Sequence, residues 1–234
     1  MPWEIVRTGL VDSTQRVARE YAETGRGTGM VIVAEAQSDG RGRRGRRWDS
    51  APGGLYLTAV LKPGSRSGLL PLLAGVAVAE AVRDLTGLKA ELKWPNDVLI
   101  DGKKVAGVLV ESGWSGGEVK FVLLGIGVNL TNPIPGDLME ATTLSKEVGE
   151  EIDKEELLYG LLRQLGCHLS RLESAPDEVL SSWRRLSSTM GGPVEIAVGP
   201  EEVVRGMAVD VDGDGALLVD VGSSIRRVFS GEVG

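Results

Sequence analysis

The sequence predicts an α+β fold that ends in a small all-β unit. In the first part, apolar strands such as residues 30–34 and 121–130 are interspersed with helices. After a Gly-Gly-Pro break at residues 191–193 the pattern changes to short strands, four in about forty residues, which indicates a small antiparallel barrel or meander. We therefore expect a main domain over residues 1–190 and a C-terminal domain over residues 191–234.

Local signals justify the individual elements. Ser13 and its neighbours are N-cap candidates for the first helix, and Gly87 ends the apolar second helix. Asp101 and Gly102 form a hairpin turn, and the glycines of strand 121–130 mark a close approach by a neighbour or a ligand. The predicted helices are 16–23, 69–85, 153–173 and 176–186, and the predicted strands are 3–7, 30–34, 54–61, 90–100, 103–111, 121–130, 194–198, 203–211, 216–221 and 224–229.

Composition excludes several classes of protein. The formal net charge of −7 argues against a general nucleic-acid binder, because phosphate contacts supply most of the affinity of such proteins. The single cysteine, Cys167, excludes an internal disulfide and a cysteine-based zinc site. The first residues do not resemble a signal sequence, and the longest apolar run, residues 69–79, is too short to span a bilayer. We expect a cytoplasmic protein that binds neither DNA nor membranes.

The most informative stretch, the arginine loop, is defined as residues 40–48 and holds five arginines and three glycines ahead of Trp48. Arginine is rarely buried unpaired and glycine is costly to order, so we expect a mobile loop that orders around an anion. Its three glycines match a dinucleotide-binding fingerprint, but turn residues follow at the point where that fingerprint requires a helix, so a dinucleotide site is disfavoured. An arginine–glycine RNA-binding segment is also disfavoured, because such segments are usually longer and repetitive.

Two further signals bear on chemistry. The only histidine, His168, lies in an amphipathic helix, which leaves almost nothing to build a Ser-His-Asp or Cys-His apparatus. Residues 210–215 match the opening of a calcium-binding loop, but Val221 stands where a bidentate glutamate is needed, so we predict an acidic hairpin turn. Fixed cations without a histidine base or a Walker A motif suit nucleotidyl chemistry, such as activation of an acid by adenylation.

Three motifs resemble those of the biotin protein ligases. The arginine loop is similar to the family's loop over biotin and adenylate, residues 93–97 to its Lys-Trp-Pro-Asn-Asp motif, and residues 104–107 to its Lys-[Ile/Val/Leu]-Ala-Gly motif, while residues 127–129 match as well. The resemblance implies a class II synthetase-like catalytic domain, with a mixed and largely antiparallel sheet, and an SH3-like C-terminal barrel. The sequence resembles the short, monofunctional members of the family, which have no DNA-binding helix-turn-helix. Arg47 occupies a position where the family more commonly has lysine.

The resemblance also implies a reaction. Biotin carboxylate attacks the α-phosphate of ATP in the presence of Mg²⁺, and pyrophosphate leaves. Biotinyl-5′-AMP then passes biotin to a lysine of a biotin carboxyl carrier protein domain, which releases AMP. Lys104, Arg43 and Arg46 match catalytic positions. The positions matched to biotin binding are Ser13, Thr14, Gln37, Gly40, Arg41, Gly42, Arg43 and Gly107, and those matched to ATP are Trp48, Asn96, Asp97, Lys104 and Asn129.

Individual roles follow from the same resemblance. Ser13, Thr14 and Gln37 match residues that bind the ureido ring, and Lys104 the lysine that bridges carboxylate and phosphate. Trp48 and Asn129 match contacts to adenine, and Arg41, Arg43 and Arg46 match groups that close over carboxylate and phosphate. Asp97 matches a position near the ligand and the lysine, where a magnesium ligand or a supporting role both fit.

Two other functions stay open at this point. A lipoate- or octanoate-type ligase or acyltransferase would share the fold, and a non-catalytic anion- or RNA-binding module would also use the loop arginines. The resemblance further implies a possible homodimer formed through sheet edges.

Overall fold

The computed structural model describes residues 2–136, 138–199 and 202–233. Its strands are β1 (Glu4–Val11), β2 (Met30–Gln37), β3 (Leu55–Leu61), β4 (Ala90–Lys93), β5 (Asp97–Ile100), β6 (Lys103–Ser115), β7 (Glu118–Val128), β8 (Pro193–Ala197), β9 (Val203–Val211), β10 (Leu217–Asp220) and β11 (Ile225–Val228). Its α-helices are α1 (Thr14–Glu23), α2 (Leu70–Thr86), α3 (Leu144–Val148), α4 (Lys154–Leu172) and α5 (Pro176–Leu186).

The strands form two sheets. The main sheet has the order β1-β2-β3-β7-β6-β5-β4, and only the β1–β2 pair is parallel. The second sheet has the antiparallel order β11-β10-β9-β8. The predicted α+β class, with a largely antiparallel main sheet followed by a small antiparallel unit, is confirmed.

The main sheet is buried on both faces. Along β2, Val31 and Val33 join the large core with α2, α4 and α5, whereas Ile32 joins a smaller core with Ala18 and Ala22 of α1. Successive strand residues point to opposite faces, so the continuous apolar run of β2 serves both layers. The helix α1 therefore covers one face and the other three long helices cover the opposite face.

Several local predictions need correction. Residues 90–100 are two antiparallel strands, β4 and β5, because Trp94, Pro95 and Asn96 form a turn with a cis peptide bond before the proline. Proline lacks a backbone donor for the ladder, so the single strand predicted there was wrong. Strand β1 extends beyond the predicted residues 3–7, and α3 was not predicted because five residues carry too little periodicity.

The acidic segment at residues 210–215 is a hairpin turn between β9 and β10, as predicted. Asp212 accepts backbone hydrogen bonds from Asp214 and Ala216 and a side-chain bond from Arg227. Although burial acts in the opposite direction, these bonds hold the pKa of Asp212 below its usual value. Among the described residues, there is no cluster of three or more metal-ligating side chains, and no helix has the length and apolar character needed to cross a membrane.

The fully buried Leu73 of α2 tests the large core. We expect Leu73→Ala to lower the free energy of unfolding by about 2–5 kcal/mol, because it removes packed methyl groups and leaves a cavity. Urea denaturation measures the change. The matched substitution Leu10→Ala, at a side chain that is 72% exposed, should change stability by less than about 0.5 kcal/mol. Equal losses for the two variants would contradict this assignment of the core.

Candidate active site

A cavity of about 370 Å³ opens at the α1 face of the main sheet. Its walls come from the arginine loop, the start of α1, strands β5 to β7, the segments 129–136 and 138–141, and the segment 231–233. Every predicted site residue except Gly40 lines it. The sequence positions that the resemblance selected therefore lie together around one cavity.

The floor of the cavity follows from the sequence of β7. Phe121 and Leu123 point toward the α1 face and pack in the smaller core, and Gly125 and Gly127 continue the same face. A Cβ atom added at Gly125 would lie 2.8 Å from Gln15 Nε2, and one at Gly127 would collide with the indole of Trp48. The predicted close approach to these glycines is confirmed, and it marks where the sheet stops supporting α1 and opens into the cavity.

Trp48 lies on this floor. Gly107 of β6 pairs with Gly127 of β7, and a Cβ atom added at Gly107 would lie 2.9 Å from Trp48 Cζ3. Lys104 Nζ lies 5.3 Å from the centre of the Trp48 ring, within the range of a cation–π contact. The indole Nε1 is buried without a hydrogen-bond partner among the described residues. The Trp48 ring is thus contacted by the backbone of two glycines and by the ammonium group over it.

A polar corner forms where α1 begins. Ser13 caps the helix by accepting a bond from the Gln15 amide (3.2 Å), which confirms the predicted N-cap. Thr14 donates from its backbone amide (2.7 Å) and its hydroxyl (3.1 Å) to Gln37 Oε1, and Gln37 Nε2 donates to Ser50 Oγ (2.7 Å). These bonds fix the direction of each polar side chain before any ligand enters.

Gly40 is the predicted site residue that lies outside the cavity lining. It is buried at the base of the loop, where its carbonyl accepts a bond from the Trp48 amide (2.8 Å). A side chain there would collide with the Trp48 carbonyl and lie close to Ser50 Oγ. Gly40 therefore shapes the loop by allowing a close backbone approach, whereas Gly42 does line the cavity.

The predicted cations have specific partners. Lys104 Nζ lies 2.7 Å from Asp97 Oδ1, and Asp97 is opposite Gly107 in the β5–β6 pair. Arg43 Nη1 donates to Asn96 Oδ1 (2.9 Å), and Asn96 Nδ2 in turn donates to the Val108 carbonyl (2.9 Å). The turn that separates β4 from β5 therefore presents Asn96 and Asp97 to the loop arginine and to the lysine.

The cavity carries an excess of positive charge. Burial, and after it the charge of Arg44, lower the pKa of the Arg43 guanidinium, while the charge of Asp97 opposes the shift. The described lining includes four acidic residues, Asp49, Asp97, Glu140 and Glu232, and six basic residues, Arg41, Arg43, Arg46, Arg47, Lys93 and Lys104. An anionic ligand would offset this imbalance, in a protein whose overall charge is negative.

Asn129 lies at the end of β7 on the same side of the site. It is buried, its backbone amide donates to the Val105 carbonyl (2.7 Å), and its side-chain oxygen accepts a bond from Asn132 Nδ2 (3.3 Å). Its carbonyl accepts a bond from the Leu144 amide (3.0 Å) at the start of α3. The backbone on both sides of Asn129 is therefore fixed, and its amide is presented at the cavity wall.

Gln15, Gly231 and Glu232 are among the lining residues that sequence reasoning did not select. Gln15 is 3% exposed, and its Nε2 donates to the Leu109 carbonyl (3.2 Å), while its Oε1 is buried without a partner among the described residues. A glutamine directly after two selected polar residues was the available signal. Gly231 and Glu232 come from the far end of the chain, and no local pattern points to them.

A family model for the biotin/lipoate A/B protein ligase family matches residues 9–129, just over half of the 234 residues. The chain belongs to this family. A second model, for the biotin protein ligase C-terminal domain, matches residues 189–233. The two matches cover the segments that supply most of the cavity lining.

Several members of this family are similar to the chain over most of their length. The chain is 31% identical over 247 residues to the bifunctional ligase/repressor BirA of Bacillus subtilis, which covers 100% of this chain and 74% of that protein. It is 35% identical over 221 residues to the biotin acetyl-CoA-carboxylase ligase of Paracoccus denitrificans, with 89% and 90% covered. The biotin protein ligase from Aquifex aeolicus in complex with biotin and ATP superimposes with a TM-score of 0.86 at 32% identity, covering 99% and 97% of the two chains.

The glycine floor of this family member can be tested at Gly127. We expect Gly127→Ala to displace the Trp48 ring, because the loop adapts more easily than a paired strand. The Trp48 indole N–H resonance, assigned with Trp48→Phe, should shift. Gly160→Ala is the control, since an added Cβ there has nothing within 4 Å. An unchanged Trp48 resonance in Gly127→Ala would contradict the proposed support.

Proposed function

We propose that the protein is a biotin protein ligase, which activates biotin with ATP to biotinyl-5′-AMP and transfers biotin to a lysine of a biotin carboxyl carrier protein domain. The observation that carries the proposal is the convergence of a cationic wall and a neutral polar corner in one cavity. Biotin has an anionic carboxylate at one end and a neutral, hydrogen-bonding ureido ring at the other. Family membership and similarity to a complex with biotin and ATP support the same function.

Lys104 is the residue to which we assign the central electrostatic role. The attack of a carboxylate on the α-phosphate brings two anions together, and a point cation between them offsets their repulsion and the charge of the transition state. Asp97 lies 2.7 Å from the ammonium group and supplies its counter-charge. Arg43 and Arg46 add charge from the loop side of the same cavity.

The polar corner is assigned to the ureido ring. Ser13, Thr14 and Gln37 present hydroxyl and amide groups of fixed direction, and Gln15 Oε1 is an additional buried acceptor. On the other side, Trp48 and Asn129 offer an aromatic surface and an amide for adenine. Arg41, which pairs with Glu111 at 3.4 Å, and Gly42 complete the loop wall over biotin.

Magnesium fits this site through the substrate. Mg²⁺ is usually held by one or two carboxylates together with phosphate oxygens, and it neutralises charge on the phosphates. Of the four acidic residues in the described lining, Asp97 is the one that the family resemblance matches to the ligand site, and it would hold the ion together with the ATP phosphates. Asp97 would then serve both the ion and Lys104.

The later half of the reaction requires protection of a mixed anhydride from water. The arginine loop covers one side of the cavity, which supports its assignment as a lid over biotinyl-5′-AMP. The carrier domain must then approach the rim to present its lysine. A homodimer formed through sheet edges remains a prediction from the family resemblance.

Exchange of pyrophosphate into ATP tests the reaction directly. We expect exchange in the presence of biotin and none with lipoate or octanoate, because the polar corner matches a ureido ring, whereas lipoate ends in a dithiolane ring and octanoate in an alkyl chain, neither of which has amide hydrogen-bonding groups. Lipoate-dependent exchange alone would favour the lipoate-type alternative. No exchange with any acid, together with salt-sensitive RNA binding, would favour the binding module.

A second prediction concerns Lys104. We expect Lys104→Ala to keep the fold and to lower the rate of biotinyl-5′-AMP formation by about 10²–10³-fold, the usual effect of removing one charge-stabilising group. The neighbouring Lys103→Ala is a matched control, since Lys103 is exposed and does not line the cavity. Single-turnover formation of the adenylate is the measurement. Normal formation by Lys104→Ala would contradict the assigned role.

A further inference from the structure

The arginine loop is attached to the C-terminal unit by three of its side chains. Arg44 donates to two backbone carbonyls at the end of β8, those of Ala197 (2.9 Å) and Val198 (3.3 Å). Arg46 makes two contacts of 2.5 Å with the carboxylate of Glu232. Arg43 adds a longer bond to the Gly231 carbonyl (3.3 Å). Consecutive parts of the loop therefore reach two separate segments of the same unit.

Arg44 is distinct from the other loop arginines. It does not line the cavity, and its guanidinium points to the C-terminal unit. Its φ of 56° lies in the left-handed region, which residues other than glycine rarely adopt. Such a conformation persists where the surroundings hold it, and the two carbonyl contacts provide that hold.

The contacts of Arg44 and Arg46 with the C-terminal unit are weak enough to break when the loop opens. Arg46 and Glu232 have side chains that are 59% and 51% exposed, and exposed ion pairs are individually weak. The geometry is nevertheless bidentate, and the forked contact of Arg44 requires the planar guanidinium. Several weak contacts can hold a loop while still allowing it to open for a substrate.

We propose that Glu232 and the carbonyls of Ala197 and Val198 form a latch that holds the arginine loop closed over the bound intermediate. Glu232 and Arg44 are positioning residues, since they act through the loop and not on the reacting atoms. The identity of the retained molecule, biotinyl-5′-AMP, rests on the proposed function. The closure of the loop onto the C-terminal unit is independent of that function, because it follows from the contacts themselves.

The experiment uses Arg44→Ala, Arg44→Lys and Glu232→Gln in the full chain. Glu195→Gln is the matched control, because Glu195 makes a similar bidentate pair with Arg205 in the same unit, outside the cavity. One readout is the rate at which radiolabelled biotinyl-5′-AMP leaves the preformed complex. The other is the rate of trypsin cleavage after Arg46 and Arg47 in the ligand-free protein, which reports loop opening.

We expect all three latch variants to release the intermediate and to be cleaved about three- to tenfold faster than the control, the range for loss of one solvent-exposed hydrogen bond. Arg44→Lys should resemble Arg44→Ala because a single ammonium cannot reproduce the fork. Release and cleavage at the control rate in these variants would overturn the latch. If the parent protein forms no biotinyl-5′-AMP, the proposed function fails, while the trypsin comparison still decides the latch.

Discussion

The pairing of Gly107 with Gly127 is the constraint on which the site depends. Tyr56 of β3 is opposite Gly127, and Asp97 of β5 is opposite Gly107, so one row of residues crosses four strands. The two glycines leave bare backbone in the middle of this row, and Trp48 occupies the space above them. Because strand register fixes which residues share a face, the same pairing also brings Asp97 to the side of the sheet where Lys104 needs a counterion. A one-residue slip would remove both the floor and the ion pair.

Charge placement explains how an acidic protein can bind anions selectively. The overall charge of −7 repels extended polyanions, which contact much of a protein surface. The excess of basic side chains in the cavity acts only on a ligand small enough to enter it. Desolvation strengthens this attraction, and the lowered pKa of Arg43 reflects the cost of burying that charge and, after it, the repulsion from Arg44. This distribution favours a small carboxylate and a nucleotide over RNA.

The sequence predicted those features that depend on local pattern. Apolar runs located β2 and β7, leucine spacing located α4, and the glycines of β7 indicated a close approach. The division of residues 90–100 was missed because two apolar halves around Trp94 were counted as one strand. Gln15 and Glu232 were missed for different reasons. The role of Gln15 depends on a glycine more than one hundred positions away, and Glu232 reaches the loop only through tertiary packing. Contacts of this kind have no periodicity to detect.

The shared core ties the C-terminal unit to the site. Val194 and Val228 of the second sheet belong to the same hydrophobic cluster as Val31 of the main sheet. Trp94, which is fully buried, donates from Nε1 to the Gly215 carbonyl (3.2 Å), so the turn that presents Asn96 and Asp97 rests on the second sheet. The C-terminal unit therefore contacts the turn of the main sheet through Trp94 and the arginine loop through Glu232. An element that touches both walls of a site in this way couples the stability of the turn to the position of the loop.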